Sequence, residues 1–287
     1  MKIKNIIFVL FLCISSMLKA AVIDTVQTLS TTMKKQIKAI VITPDNYSNG
    51  KEFPVVYLLH GFSGNYKDYI TQVKGIEKWT DIYDMIIVCP DGGFSSWYFD
   101  SPVDKNMKYE TYISSELVTW IDKNYKTIKT SNGRAISGLS MGGHGALYIA
   151  LRHQDVFGSA GSMSGGVDIR PFPDNWDLSV RLGKYSEYPE DWEQNTVVNL
   201  LDLYKPKGLS IIIDCGTEDF FYHVNENLHE QLKYRNIPHD FISRPGSHDL
   251  NYWSNSVKFQ LLFFHNFFKK MGIKSIFKII ISCVTLN

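Results

Sequence analysis

The most informative stretch of the chain is Gly138-Leu139-Ser140-Met141-Gly142, which reads G-x-S-x-G. A run suited to a short buried strand precedes it and a run suited to a helix follows it, an order typical of a nucleophile elbow. Such an elbow exposes a serine hydroxyl at a sharp turn, and the glycines keep side chains away from the bent backbone. The free N–H groups of the following helix would face an oxyanion that forms there. Taken alone, the motif also fits a glycine- and serine-rich turn without chemistry.

The composition is that of one globular domain. The 287 residues are 44% hydrophobic and 21% charged, which allows a large core and argues against global disorder. The net charge is +1, and we find no basic, aromatic-interleaved patch, so nothing indicates nucleic acid as a partner. No histidine or cysteine cluster has metal-ligand spacing, so we expect no metal site. Cys89 and Cys215 are most simply small core residues, with a disulfide between them as the alternative.

Residues 1–20 have the features of a signal peptide. Lys2 and Lys4 make a positive start, Asn5 to Ile14 is almost wholly apolar, and small residues suited to cleavage follow, up to Ala20. The apolar run is too short to span a bilayer comfortably, so we expect no integral membrane span in the mature protein. The sequence therefore predicts an exported, periplasmic or secreted protein, with an uncleaved anchor as the alternative.

Strand-like runs alternate with helical patterns along the rest of the chain. We interpret as strands the runs Ala21–Leu29, Lys35–Thr43, Phe53–Leu59, Met85–Val88, Arg134–Ser137, Gly158–Gly165, Leu209–Asp214 and Pro238–Ser243. We interpret as helices Lys67–Trp79, Tyr109–Tyr125, Gly145–His153, Val224–Tyr234 and Tyr252–Met271. This alternation predicts the α/β class, with a mainly parallel central sheet and helices on both faces.

Two segments depart from that alternation. Residues 168–206 are rich in proline and aromatic residues, which indicates a small helical cap insertion above the sheet. Residues 272–287 form an apolar tail of unknown role. We expect this tail to be a helix or strand docked on the domain, and a disordered or membrane-surface segment is the alternative.

A serine nucleophile needs a base and an acid that orients the base, and with this type of elbow both follow the serine, acid first. His248 lies in a loop just after a late predicted strand, so we predict it as the base. Asp214, Glu218 and Asp219 compete for the role of the acid at the end of the preceding strand. Glu218 and Asp219 both lie at the loop tip, and because neighbouring side chains point different ways only one of them should face His248. We favour Asp219, and Glu218 and Asp214 stay open as alternatives.

Glycine-flanked loops also follow the earlier predicted strands, where open α/β sheets bind ligands. In the loop His60-Gly61-Phe62, the N–H of Phe62 is a candidate for the second oxyanion donor, and we interpret His60 as a structural residue that holds the loop. The aromatic loop from Phe94 to Pro102 predicts a wall of the substrate site.

Five separated motifs agree with one known family. They are Leu58-Leu59-His60-Gly61-Phe62, Pro90-Asp91-Gly92-Gly93 with Ser96-Trp97-Tyr98, Gly138-Leu139-Ser140-Met141-Gly142-Gly143, Gly216-Thr217-Glu218-Asp219-Phe220 and Gly246-Ser247-His248-Asp249. Over residues 22–271 the chain resembles the esterase-D-like branch of the α/β-hydrolases. That branch includes tributyrin-type, feruloyl and acetylxylan esterases, S-formylglutathione hydrolases and mycolyltransferases.

The resemblance implies an α/β-hydrolase fold and a role for each motif residue. Ser140 would be the nucleophile, Asp219 the orienting acid and His248 the base. The backbone N–H groups of Phe62 and Met141 would form the oxyanion hole. Two-step acyl transfer of this kind needs no metal or cofactor.

We therefore expect a serine carboxylesterase that hydrolyses short-chain or carbohydrate-linked acyl esters through an acyl-enzyme. Trp97, Phe220 and Tyr222 are candidate substrate-binding residues, compatible with a sugar or a phenolic acyl group. A thioesterase of the S-formylglutathione type and an acyltransferase are alternatives, although a signal peptide argues against the first. A catalytically silent carbohydrate-binding protein is the non-enzyme alternative. The partner would be a small-molecule or carbohydrate ester, and the sequence indicates no oligomeric state.

Overall fold

The strands of the protein form one eight-stranded sheet. The computed structural model describes residues 20–47 and 50–284, with side chains up to Gly272, so the predicted signal peptide lies outside the described residues except for Ala20. The strands are β1 (Val22–Ser30), β2 (Lys35–Thr43), β3 (Val55–Leu59), β4 (Ile86–Pro90), β5 (Arg134–Gly138), β6 (Ser159–Met163), β7 (Ser210–Gly216) and β8 (His239–Arg244).

The sheet is mainly parallel. Its strand order is β1-β2-β4-β3-β5-β6-β7-β8. The pairs β1–β2 and β2–β4 are antiparallel, whereas the pairs from β4 across to β8 are parallel. The α/β class and the mainly parallel sheet are thereby confirmed.

Nine α-helices occur among the described residues. They are α1 (Asp68–Gln72), α2 (Lys78–Tyr83), α3 (Tyr109–Thr111), α4 (Val118–Asn124), α5 (Met141–Arg152), α6 (Leu178–Leu182), α7 (Pro189–Gln194), α8 (Tyr222–Tyr234) and α9 (Leu250–Val284). A π-helical turn at Tyr112–Leu117 joins α3 to α4, and 3₁₀ turns lie at Ser131–Gly133 and Val197–Leu203.

Apolar cores lie on both faces of the sheet. On β3, Val55, Tyr57 and Leu59 pack into the first core, and Val56 and Leu58 pack into the second. All five side chains are buried, as expected for a strand that helices cover on both sides. Helix α5 contributes to the first core, and α9 contributes to the second.

One predicted helix is wrong, and one is longer than predicted. The predicted helix Lys67–Trp79 is two short helices, α1 and α2, because Gly75 between them has φ +75°, which ends a right-handed helix. The predicted helix Tyr252–Met271 begins at Leu250 and continues to Val284. The backbone of the apolar tail therefore extends α9, apart from residues 285–287, which lie outside the described residues.

The predicted cap segment lies between β6 and β7. It holds α6, α7 and the 3₁₀ turn Val197–Leu203, so its structure is helical. Within residues 20–47 and 50–284, no helix has both the length and the apolar character needed to cross a membrane.

The strand register fixes which loops are neighbours at the carboxyl edge of the sheet. Leu59 at the end of β3 pairs with Gly138 at the end of β5, which brings the His60 loop beside the elbow. Gly216 at the end of β7 pairs with Arg244 at the end of β8, so the loops that follow these two strands are also adjacent.

Candidate active site

Ser140 lies at the tip of a strained turn between β5 and α5. Its backbone has φ +55° and ψ −119°, a combination that non-glycine residues rarely adopt. The flanking glycines permit this turn by close approach, since a Cβ on Gly142 would lie 2.2 Å from the carbonyl oxygen of Leu59. A Cβ on Gly138 would lie 2.4 Å from the backbone of Gly142. Side chains at either position would displace the elbow.

Hydrogen bonds connect Ser140, His248 and Asp219 in one chain. The distance from His248 Nε2 to Ser140 Oγ is 2.9 Å. On the other side of the ring, Nδ1 lies 2.8 Å from Oδ2 and 3.0 Å from Oδ1 of Asp219. The Asp219 side chain is fully buried, and the His248 side chain is 14% exposed. Because the N–H of Phe221 also donates to Oδ1 of Asp219, the carboxylate is held from two directions.

The two alternative acids make other contacts. The Asp214 carboxylate accepts hydrogen bonds from Arg244 and Tyr252. The Glu218 carboxylate accepts one from the Ser247 hydroxyl. Of the three candidates, it is Asp219 that the structure brings to His248.

The backbone N–H groups of Phe62 and Met141 are the two predicted oxyanion donors. In the described part of the chain, neither the Phe62 nor the Met141 amide donates a hydrogen bond. Met141 is the first residue of α5, and Gly61 approaches the elbow so closely that a Cβ on it would lie 3.5 Å from Ser140 Cβ. Free donors at a helix start are suited to binding an oxyanion.

His60 fixes the loop that carries Phe62. Its buried ring donates from Nδ1 to the Gly61 carbonyl at 2.8 Å and accepts at Nε2 from the Gly92 N–H at 2.7 Å. Burial lowers the pKa of His60, which favours the neutral ring that this pattern of one donor and one acceptor needs. The Tyr98 hydroxyl donates to the His60 carbonyl at 3.0 Å. His60 therefore joins two loops and does not contact the reacting groups.

Aromatic rings surround His248. The Phe220 ring is 4.2 Å from the His248 ring and stacks on Trp176 at 5.5 Å with an interplanar angle of 17°. The Trp253 ring meets the His248 ring edge-on at 4.8 Å. Phe220 is 52% exposed, so one aromatic surface beside His248 is accessible from solvent. Trp176 and Trp253 are contacts that sequence reasoning missed, because nothing in the sequence singles out these tryptophans from those of the core.

The three candidate substrate-binding residues lie in different environments. Phe220 contacts the His248 ring, as described above. Trp97 is only 1% exposed, and its indole N–H donates to the Trp176 carbonyl at 3.0 Å, so it anchors the backbone of Trp176. The Tyr222 hydroxyl contacts the Ser243 hydroxyl at 3.4 Å, on the edge strand β8.

A second aromatic pair borders the oxyanion side. The rings of Phe62 and Phe94 lie 5.0 Å apart in an edge-to-face arrangement, and Phe94 is 61% exposed. Two partly exposed aromatic pairs, Phe62–Phe94 and Trp176–Phe220, thus belong to the loops that adjoin Ser140 and His248.

His144 is close to Ser140 in sequence but does not join the site. Its ring is fully buried on α5 and contacts the rings of Trp97, Phe99 and Tyr148. Neither ring nitrogen has a hydrogen-bond partner in the described part of the chain. Burial lowers the pKa of His144 to about 3, so the ring is neutral at ordinary pH.

The described residues contain neither a metal-ligand cluster nor a disulfide. No group of three His, Cys, Asp or Glu side chains among them could hold a metal ion. Cys89 and Cys215 are free and buried, so the alternative of a disulfide between them is wrong.

Comparison with known proteins identifies the family. Residues 30–264 match the model of the Esterase family, described as "Putative esterase". The chain belongs to this esterase family. This member is 32% identical over 239 residues to an esterase of Mycobacterium tuberculosis, a match that covers 72% of this chain and 51% of that protein. It thus spans about half the length of that relative.

Two further proteins are similar to this member of the Esterase family. It is 36% identical over 224 residues to a diacylglycerol acyltransferase/mycolyltransferase of Mycobacterium leprae, covering 71% of this chain and 64% of that protein. The solved structure of a ferulic acid esterase has a TM-score of 0.75 and 27% identity, covering 87% of this chain and 99% of that one. The α/β-hydrolase fold and the resemblance to the esterase-D-like branch are confirmed.

Proposed function

We propose that this protein is a serine carboxylesterase that hydrolyses short-chain or carbohydrate-linked acyl esters through an acyl-enzyme. The observation that carries the proposal is the hydrogen-bonded chain from Ser140 through His248 to the buried Asp219. A serine hydroxyl is a weak nucleophile, and it becomes reactive when an oriented imidazole can take its proton.

Each group has a defined role in the proposed reaction. His248 Nε2 accepts the proton of Ser140 Oγ as the oxygen attacks the ester carbonyl. Asp219 holds the opposite nitrogen of the ring and stabilises the imidazolium that forms. The N–H groups of Phe62 and Met141 bind the oxyanion, and loss of one such donor typically costs roughly 2.7–4 kcal/mol. His248 then protonates the leaving alcohol, and water cleaves the acyl-enzyme by the same steps.

The aromatic pairs on either side of the elbow support a substrate with a flat or apolar group. Phe220 and Trp176 present stacked rings beside the base, and Phe94 is exposed beside the oxyanion donors. Stacking on such rings suits a sugar or a phenolic acyl group. The similarity to a ferulic acid esterase favours the same substrate classes.

We also propose that the protein is exported to the periplasm or secreted. The support is the positive start and apolar run of residues 1–20. Export would give the enzyme access to carbohydrate esters outside the cytoplasm. Export would also separate the enzyme from the cytosolic substrates of an S-formylglutathione-type thioesterase.

Acyltransferase activity is the second candidate function, because a diacylglycerol acyltransferase/mycolyltransferase is 36% identical to this chain over 224 residues. In that case a sugar hydroxyl replaces water in the second step, with the same catalytic residues. Product analysis with and without an added sugar acceptor separates the two. An acylated sugar formed faster than the free acid would favour transfer.

Substitution of Ser140 tests the proposal. We expect Ser140→Ala to lower the hydrolysis of p-nitrophenyl acetate and butyrate by about 10⁴-fold or more, because the nucleophile is removed. The melting temperature should stay close to that of the unmodified protein. Ser131→Ala, in the 3₁₀ turn before β5, is the matched control and should keep full activity.

Covalent labelling provides an independent readout. A fluorophosphonate should label the unmodified protein and the Ser131→Ala variant but not Ser140→Ala. Substrates with acetyl, butyryl, feruloyl and thioester groups then rank the acyl and leaving groups. Turnover retained in Ser140→Ala would overturn the mechanism, and no labelling of the unmodified protein would favour a silent carbohydrate-binding protein.

A further inference from the structure

A buried polar cluster lies behind the Asp219 and His248 loops. Asp214, near the end of β7, has a fully buried side chain. Its Oδ2 accepts a hydrogen bond from Arg244 Nη2 at 2.7 Å, and its Oδ1 accepts one from the Tyr252 hydroxyl at 2.5 Å. Arg244 Nη2 also donates to the Ser256 hydroxyl at 2.9 Å. The cluster thus joins β7, the last residue of β8 and the first two turns of α9.

The two loops that carry the acid and the base are connected directly to these three elements. The loop after β7 leads to Asp219, and the segment between β8 and α9 contains His248. Backbone hydrogen bonds tie the loops directly: the Thr217 N–H donates to the Arg244 carbonyl at 2.9 Å, and the Glu218 N–H donates to the Gly246 carbonyl at 3.0 Å. A shift of β8 or α9 relative to β7 therefore changes the distance between acid and base.

The Tyr252 ring packs against both loops. A Cβ on Gly246 would lie 2.4 Å from Tyr252 Cδ2, and a Cβ on Gly216 would lie 3.2 Å from Tyr252 Cε2. Gly246 has φ +147°, a backbone conformation that side chains rarely allow. The ring thus supports the backbone two residues before His248, while its hydroxyl is anchored on Asp214.

The guanidinium of Arg244 is held over aromatic rings. Its central carbon lies 5.0 Å from the Tyr252 ring centre and 4.5 Å from the Phe259 ring centre, so this one cation contacts two aromatic rings of α9. A buried ion pair contributes little net stability compared with apolar residues of the same size, but its geometry restricts how elements can pack. Here the restricted elements are those that bear His248 and Asp219.

We propose that Asp214, Arg244 and Tyr252 are positioning residues that set the geometry of the Asp219–His248 pair. The proposal rests on the proposed function, since it concerns the same triad. These residues do not touch the reacting atoms. They act by fixing the loop after β7, the loop after β8 and the start of α9 as one unit.

Tyr252→Phe tests the proposal with little disturbance, because it removes the hydroxyl that donates to Asp214 and keeps the ring. We expect kcat for p-nitrophenyl acetate to fall about 10-fold to 100-fold, as for a small misplacement of catalytic groups, with KM within about 2-fold of its original value. The rate of fluorophosphonate labelling at Ser140 should fall by a similar factor, since that reaction uses the same base.

Tyr148→Phe is the matched control. Its hydroxyl also donates from a buried ring to a buried carboxylate, Glu110 Oε2, at 2.7 Å, but on α5 and away from the two loops. We expect a comparable loss of melting temperature and an unchanged kcat. Equal kcat values for Tyr252→Phe and the unmodified protein would overturn the positioning role. So would equal losses of kcat in both variants, because these would report general destabilisation.

The Ser140→Ala variant keeps the two proposals distinguishable. Activity retained in that variant would refute the serine mechanism itself. An inactive Ser140→Ala together with a fully active Tyr252→Phe would refute only the positioning role.

Discussion

Replacing His144 with phenylalanine should make the stability of the protein less dependent on pH. The ring of His144 is fully buried, has no hydrogen-bond partner among the described residues, and has a pKa lowered to about 3 by burial. In the unfolded chain the imidazole takes up a proton below about pH 6.5. The folded protein does not bind that proton until the pH approaches about 3. Folding stability is therefore lost as the pH falls below about 6.5.

The magnitude follows from the gap between the two pKa values. Each pH unit between them is equivalent to about 1.4 kcal/mol, so at about pH 5 His144 alone should lower the free energy of unfolding by about 2 kcal/mol relative to pH 8. In His144→Phe this contribution is absent. The change in unfolding free energy between about pH 8 and pH 5 should then be smaller by about 2 kcal/mol than in the unmodified protein.

Urea unfolding at the two pH values measures this difference. Any cost of fitting the phenylalanine ring applies at both pH values, so it cancels in the difference between them. The contributions of the other histidines are present in both proteins, so they cancel when the variant is compared with the unmodified protein. His223→Phe is the control for a histidine-to-phenylalanine exchange at the surface, because that side chain is 91% exposed. If His144→Phe and the unmodified protein lost the same stability between about pH 8 and pH 5, the reasoning from burial would be refuted.

Two further predictions concern the backbone around the elbow. Gly142→Ala should abolish ester hydrolysis and lower the midpoint of urea unfolding, because its Cβ would lie 2.2 Å from the Leu59 carbonyl oxygen. Gly272→Ala is the control: among the described residues no atom lies within 4 Å of its Cβ, so activity and unfolding midpoint should stay unchanged. His60→Ala should destabilise the protein by about 2 kcal/mol, since it removes two buried hydrogen bonds, and should also lower kcat because the Phe62 loop loses its anchor. Unchanged urea unfolding and kcat in His60→Ala would contradict its structural role.

The elbow and the fold class could be predicted because their signals are local. A tight turn needs glycines at fixed positions, and a strand covered on both faces needs a continuous apolar run such as Val55 to Leu59. His248 could be singled out because it lies in a loop after a late strand. The choice of Asp219 over Asp214 followed from its place at the loop tip, and Asp214 is instead bonded to Arg244 and Tyr252.

Contacts between distant segments could not be predicted in this way. The approach of Trp253 to His248 depends on how α9 packs against the sheet, and the stacking of Trp176 on Phe220 depends on how the cap segment folds. Trp97 has the sequence context of a substrate wall, yet the cap covers it. The helix predicted at Lys67–Trp79 is divided because the sequence pattern does not reveal that Gly75 has a positive φ.

The separation of the triad along the chain has a consequence for biosynthesis. Ser140 and His248 are 108 residues apart, Asp219 follows β7, and His248 follows β8. If Ser140 is the nucleophile, a nascent chain that has formed the elbow but not yet β7 and β8 carries only an ordinary alcohol at that position. Its reactivity appears when the C-terminal third of the chain joins the sheet. Such an order would keep unfinished or truncated copies from being acylated before they could release the acyl group.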